Sequence, residues 1–201
     1  SEARLDKVQG FHGFDGQNTQ IHLARGRVET SVAAQRGPAA RYQIRTPTAL
    51  VGVRGTEFRV GSDAVSQAAQ AEVTGGEVRM SSTSGAATAL PAGYGLVAIP
   101  GQAIPAPRAL LPAPQIKDVP TVFERVELRF VFSPVNKAVA YRVQIARDRQ
   151  FSDVLMTGVF PTAAARFSGL PDGAYWLRVR AIDDAGHEGF DANQTFALRA
   201  R

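Results

Sequence analysis

The sequence predicts an all-β chain of two units, on three observations. Apolar residues recur at every second position in short segments, the spacing of half-buried strands. Glycine and proline, 19 and 12 of the 201 residues, stand between those segments, where they supply turns and interrupt helices. Six of the prolines lie between Pro100 and Pro120, a density that favours extended backbone and marks a boundary. The expected organisation is a compact array of short strands over residues 1–102, a proline-rich linker over 103–114 and a β-sandwich over 115–201. Leu110 and Leu111 are too apolar for a free tether, so the linker is expected to lie against one unit.

In the first unit the alternating pairs are Ile21/Leu23, Val28/Thr30/Val32, Tyr42/Ile44, Phe58/Val60 and Val78/Met80. Gly26, Gly37, Gly61, Gly75-Gly76, Gly85, Gly93 and Gly95 punctuate them. The array fits a β-roll or solenoid, or a sandwich. The window Ala64 to Ala71 has helical propensity but no capped, amphipathic start, so it reads as a loop leading into a strand at 69–74. Val51 and Val53 share one parity, Phe58 and Val60 the other. If all four face the core, the chain slips by one residue near Arg54-Gly55, through a bulge or bend that glycine permits.

The second unit alternates more cleanly. Val126/Leu128/Phe130/Phe132, Tyr141/Val143/Ile145 and Tyr175/Leu177/Val179/Ala181 are interleaved with charged and polar residues. Turn signals occur at Ser133-Pro134, at Gly169 to Gly173 and at Asp183 to Gly186. About seven strands over this length is the rhythm of an immunoglobulin-like sandwich.

Composition narrows the function. No cysteine is present, which removes disulfides, a thiol nucleophile, iron–sulfur clusters and cysteine-ligated zinc. The formal charge of +5 is spread over both units without a lysine or arginine run, whereas nucleic-acid binders cluster their basic residues; no nucleic-acid partner is expected. No apolar run approaches the 18 or so residues of a membrane helix. The N-terminus SEARLDKVQG lacks a signal-peptide core, and the chain reads as a mature or trimmed piece of something longer.

Catalytic patterns are not found. His12, His22 and His187 stand in no metal or catalytic spacing, and His22 is expected to point outward between Ile21 and Leu23. No Gly-x-Ser-x-Gly elbow occurs. Gly93-Tyr94-Gly95 lies between strands rather than before a helix, unlike a phosphate loop. Asp183, Asp184, Glu188 and Asp191 share a glycine-containing loop that could offer oxygens to calcium, but their spacing is not that of the twelve-residue calcium loop, and acidic turn residues are also ordinary hairpin chemistry. The expectation is no enzyme, no metal and no cofactor.

Two stretches resemble known families. IRTPTALVGVRGTEFRV, Ile44 to Val60, resembles the central signature of the FecR domain family, with Arg45, Thr46, Pro47, Val53, Arg54, Gly55, Thr56 and Phe58 at its recurring positions. LARGRVET, AEVTGGEVRM and LPAGYGLVAIPG are similar to its flanking strands, so the likeness spans roughly residues 5–102. It implies a bacterial domain beyond the inner membrane. The best-known members relay siderophore signals from an outer-membrane transporter to a sigma factor and carry a membrane helix; other relatives join the domain to wall-binding or adhesion modules. YRVQIARDRQF with LPDGAYWLRVRAIDDAGHEG resembles a fibronectin type III domain, Leu170, Tyr175, Val179 and Ala181 matching its core. The family's early tryptophan is missing, and Phe130 or Phe132 is expected in its place.

Two sets of binding residues follow. Arg45, Arg54 and Glu57 match polar positions of the FecR signature: Arg54 either bridges strands around the Gly55 bend with Glu57 as partner, or the group recognises a protein. In the second unit, inward Tyr175, Leu177 and Val179 turn Trp176, Arg178 and Arg180 outward, beside Arg142 and Gln144. That stacks the only tryptophan with three arginines, either as self-satisfied cation–π packing or as a docking face for a glycan or protein. The expected function is a non-catalytic binding or scaffolding module of the periplasm or cell envelope, with an envelope protein or a peptidoglycan or glycan partner. The alternative is a FecR-type sensor in signal transduction.

Overall fold

The computed structural model describes residues 2–10, 17–32, 41–53, 56–82 and 85–200. They form eighteen strands and, among the described residues, no helix, so none is long and apolar enough to cross a membrane. The chain divides into two compact units, Ser1–Leu110 and Leu111–Arg201.

The first unit holds β1 (Glu2–Gly10), β2 (Gln17–Val32), β3 (Arg41–Arg45), β4 (Ala49–Val53), β5 (Thr56–Ser62), β6 (Ala69–Gly75), β7 (Glu77–Ser82), β8 (Ala87–Pro91), β9 (Tyr94–Ala98) and β10 (Arg108–Ala109). β2 is 16 residues long and serves two halves of one sheet. Its Asn18–His22 stretch pairs with β3 in parallel, and Gly26–Val32 pairs with β5 antiparallel. The change of partner falls at Gly26, whose φ of 96° is a left-handed conformation that suits glycine. One half continues β3-β4-β7-β8, the other β5-β6-β9-β10. The chain winds between them: β4 to β5, β6 to β7 through Gly76, β8 to β9 through Gly93.

Both halves line a single core, in which Leu23, Ile44, Val51 and Met80 meet Phe58, Val60, Val73 and Leu96. Tyr42 packs edge-on against Phe58 at 6.2 Å between centroids. Fully burying a side chain of this size contributes roughly 1.5–3 kcal/mol, so the alternating pattern becomes a folding force once both inner faces meet. Val51 and Val53 are buried, as are Phe58 and Val60, so the change of parity is present. It accompanies the passage from one half to the other, through residues 54 and 55, which lie outside the described residues. A bulge occurs on β6, where Thr74 is passed over between Gly75, opposite Glu57, and Val73, opposite Phe58.

The helix-prone window is a turn. Asp63 accepts hydrogen bonds through Oδ1 from the amides of Val65 and Ser66 and from the Ser66 hydroxyl. This local bonding competes with helix formation, and β6 begins at Ala69. The proline-rich segment up to Leu110 belongs to this unit: Ile104 packs on the core, β10 pairs with β9, and the Leu110 amide donates to the Gly93 carbonyl.

The second unit holds β11 (Ile116–Lys117), β12 (Val122–Phe123), β13 (Leu128–Phe132), β14 (Ala140–Ala146), β15 (Val154–Phe160), β16 (Ala164–Phe167), β17 (Gly173–Ile182) and β18 (Ala192–Leu198). It is an immunoglobulin-like sandwich of a three-stranded sheet, β11-β13-β16, and a five-stranded sheet, β12-β18-β17-β14-β15. β11 joins the first sheet and β12 the second, so the entering segment changes sheets. Phe130 and Phe132 are both buried. Phe130 meets Phe123 and Phe196 edge-on, and Phe132 packs against Tyr141. Together they supply aromatic volume early in the unit, where the tryptophan is missing. The Tyr175 hydroxyl donates to the Pro171 carbonyl at 2.7 Å, a tyrosine corner that ties β17 to the turn before it.

Candidate functional site

The FecR-like signature folds into the β3–β4 turn. Thr46 and Thr48 are buried while Arg45 and Pro47 are exposed. The Thr46 hydroxyl accepts from the Ala49 amide at 2.9 Å and donates to the Ala49 carbonyl at 3.1 Å. The Thr48 hydroxyl donates to the carbonyl of Gln67, a residue in the left-handed region at φ 56°. The threonines therefore lock the turn and pin it to the 63–68 loop, which leaves Arg45 at the surface end of β3, level with His22 on β2. Glu57 is exposed on β5, in the other half of the sheet. Arg45 and Glu57 are thus on separate strands in different halves of the sheet, and Arg54 lies outside the described residues.

The first unit contains a charged cluster that sequence reasoning missed. Arg59 and Glu72 stand directly opposite each other on β5 and β6 and are 2% and 0% exposed. Glu72 receives hydrogen bonds from Arg27 at 2.6 Å and Gln70 at 2.7 Å, with Arg59 at 3.7 Å. Arg59 and Glu72 occupy the alternate positions between Phe58 and Val60 and between Ala71 and Val73. Opposite charges in two such segments are the available signal, but they identify a pair only once the register is known.

In the second unit, β17 directs Trp176, Arg178 and Arg180 to the face away from the core. Their expected exposure is not found for the arginines: Arg178 is 6% and Arg180 2% exposed. The cause is the loop 183–191, which lays its carboxylates on them. Arg180 donates to Glu188 at 3.0 Å and to Asp191 at 3.1 Å. Arg142, directly across from Arg180, is bonded to the other oxygen of Glu188. Arg178 donates to Gln144 Oε1 at 2.7 Å, and its guanidinium lies 4.1 Å from the centre of the Phe151 ring. Trp176 is half-buried, and the cation over it, at 6.0 Å, is Arg149. The predicted stack of Trp176 with Arg142, Arg178 and Arg180 is thus replaced by a carboxylate-bridged arginine ladder beside a separate Arg149–Trp176 pair.

The acids of the same loop make internal contacts. Glu188 and Asp191 face arginines, and Asp183 accepts through Oδ1 from the amides of Ala185 and His187 at 3.0 and 2.8 Å. Its Oδ2 lies 3.1 Å from His187 Nδ1. Burial pushes the Asp183 carboxyl up, but the His187 ring, the two amides and the imidazole charge together hold it below the ordinary aspartate value. Among the described residues no group of three or more histidine or acidic side chains is arranged to hold a metal. Gly189 lets the loop close: a Cβ there would stand 2.3 Å from the Leu111 carbonyl oxygen.

Comparison with known proteins adds the following. A Parabacteroides distasonis structure described as an anti-sigma factor is 17% identical over 49% of this chain and 44% of its own, with a TM-score of 0.39. A second structure so described, from the same organism, is 14% identical over 54% and 56%, with a TM-score of 0.40. The fibronectin(III)-like modules of Clostridium thermocellum CbhA are 10% identical over 99% and 95%, with a TM-score of 0.36. The chain spans about half the length of the two anti-sigma factor structures. No curated protein matches the chain. The family model of FecR protein matches residues 4–79, a span that contains the Ile44 to Val60 signature.

Proposed function

We propose that the chain is a non-catalytic, extracytoplasmic protein-binding region of FecR type, with the first unit receiving an envelope protein and taking part in signal relay. The FecR match over residues 4–79 carries this reading. The signature's two threonines are consumed in locking the turn, which leaves Arg45 as the exposed charged group that the turn presents. An exposed guanidinium on a rigid turn suits bidentate recognition of a carboxylate on a partner.

The broader reading is a scaffolding module that engages the wall, with the second unit as spacer or glycan-facing element. Capture from a bacterial envelope extract tests the first reading. A defined envelope protein is expected on the wild-type chain and is expected to be lost on Arg45→Glu with the circular dichroism unchanged. Retention that ignores Arg45→Glu, or no retained protein while the chain is folded, defeats it. Co-sedimentation with purified peptidoglycan sacculi instead selects the scaffolding reading.

A further inference from the structure

β15 is an unusual edge. Sheet edges expose unpaired backbone groups, and proteins commonly blunt them with charge, proline, brevity or cover. The other edges of the described sheets follow this practice. β10, β11 and β12 are two residues long, β16 carries Arg166, β8 ends in Pro91, and β1 contains four charged residues. β15, at the end of the five-stranded sheet, reads VLMTGVF, seven residues with neither charge nor proline. Val159 on it is 52% exposed. An open groove of about 760 Å³ lies beside it, lined among others by Leu155, Met156, Phe167, Glu127 and Arg166.

We propose that β15 is the docking edge for a second copy of this chain, the two five-stranded sheets joining antiparallel across a two-fold axis at Gly158. An isologous contact requires a patch that complements itself. The pairing with β14 is regular from Met156 to Phe160, the bulge falling beyond it at Leu155. Centred on Gly158, this stretch sets Met156 against Phe160 on the core-facing side and Thr157 against Val159 on the solvent side. Opposed residues in an antiparallel pair share a face, and β-branched or apolar cross-strand pairs are stabilising.

Electrostatics favours the same occupant. The strand has no charge to repel its twin, and the groove carries one charge of each sign, Glu127 and Arg166, 3.8 Å apart and both exposed. Gly158 keeps the centre slim. A Cβ there would meet the Phe160 ring at 2.7 Å, and Phe160 in turn packs edge-on against Phe167. Each copy has one such edge, so the assembly closes as a dimer. The inference concerns the second unit and is independent of any partner for the first.

The absence of cysteine makes the test clean. The full chain is examined by sedimentation velocity from low to high micromolar concentration, as wild type and as Thr157→Lys and Val159→Lys. Thr157→Cys and Val159→Cys chains carrying tags of different mass are then mixed and oxidised. Opposed residues sit about 4.5–5.5 Å apart at Cα, within disulfide reach. The expected results are a concentration-dependent wild-type dimer, monomeric lysine variants with unchanged circular dichroism, and a mixed Thr157→Cys/Val159→Cys disulfide. Val65→Cys, on an exposed turn of the first unit, is expected to cross-link poorly. A wild-type monomer throughout, lysine variants that still dimerise, or cross-linking no better than for Val65→Cys overturns the proposal. A monomer that instead binds a foreign extended peptide at this edge overturns it equally.

Discussion

Arg142 on β14 and Arg180 on β17 stand directly opposite one another, and the carboxylate of Glu188 binds both. Like charges in that position are destabilising, so the sheet in this place depends on a residue that comes from a loop. Glu188 is fully buried, and the Arg180 side chain is 3% exposed. Removal of Glu188 leaves Arg180 buried beside Asp191, with Arg142 facing it across the strands.

Glu188→Ala is therefore expected to cost about 3–5 kcal/mol, the range for breaking a buried ion pair from one side. Arg142→Ala is expected to cost less, because the Arg142 side chain already reaches water at 29% exposure. Urea denaturation checks this: the midpoint should fall with little change in slope. Equal losses for the two variants would show that the bridge to Arg142, and not the burial of Arg180, dominates.

Acid stability should report on Asp183. Its native carboxyl titrates below the ordinary 3.8, so the deprotonated form is favoured by folding. A depressed native value contributes stability that is present above the unfolded value and is lost as pH falls through the native one. The wild-type chain should thus lose this contribution below about pH 4, and Asp183→Asn should be less stable at neutral pH with a shallower decline into acid. Denaturation midpoints between neutral pH and pH 2 measure this. An Asp183 carboxyl resonance titrating at or above 3.8 would contradict it.

In the first unit the informative substitution is Thr46→Val. It preserves shape but leaves the buried Ala49 amide without the acceptor it has at 2.9 Å. An unsatisfied buried donor costs about 1–3 kcal/mol. The unfolding midpoint should fall accordingly, while the exposed neighbour Pro47→Ala should change it by less than about 0.5 kcal/mol.

The strands were legible because each alternating segment buries one face, as β4 does with Ala49, Val51 and Val53 inward and Leu50 and Gly52 half-covered. The loop at 63–68 was legible from the missing helix start. The charged sites were not. Arg178 and Arg180 obey the parity that points them away from the core, but parity cannot tell that a loop beginning three residues after Arg180 returns to cover them. Of the same loop's acids, weighed as a possible cation site, Glu188 and Asp191 bind those arginines, while Asp183 bonds its own turn and His187. Arg59 and Glu72 escaped notice for a related reason: their meeting depends on the register of β5 against β6 across the six-residue 63–68 loop, which no local pattern carries.

β2 takes part in both halves of the first unit's sheet, pairing with β3 before Gly26 and with β5 after it. Neither half can fray fully while the other keeps its shared member straight, because one continuous backbone supplies hydrogen bonds to both. The halves should therefore open as a single cooperative unit, with amide exchange in β3–β4 and in β5–β6 following one common opening rather than two. A domain that receives a contact on one half would thereby transmit loosening or tightening to the other through a strand, not through a hinge.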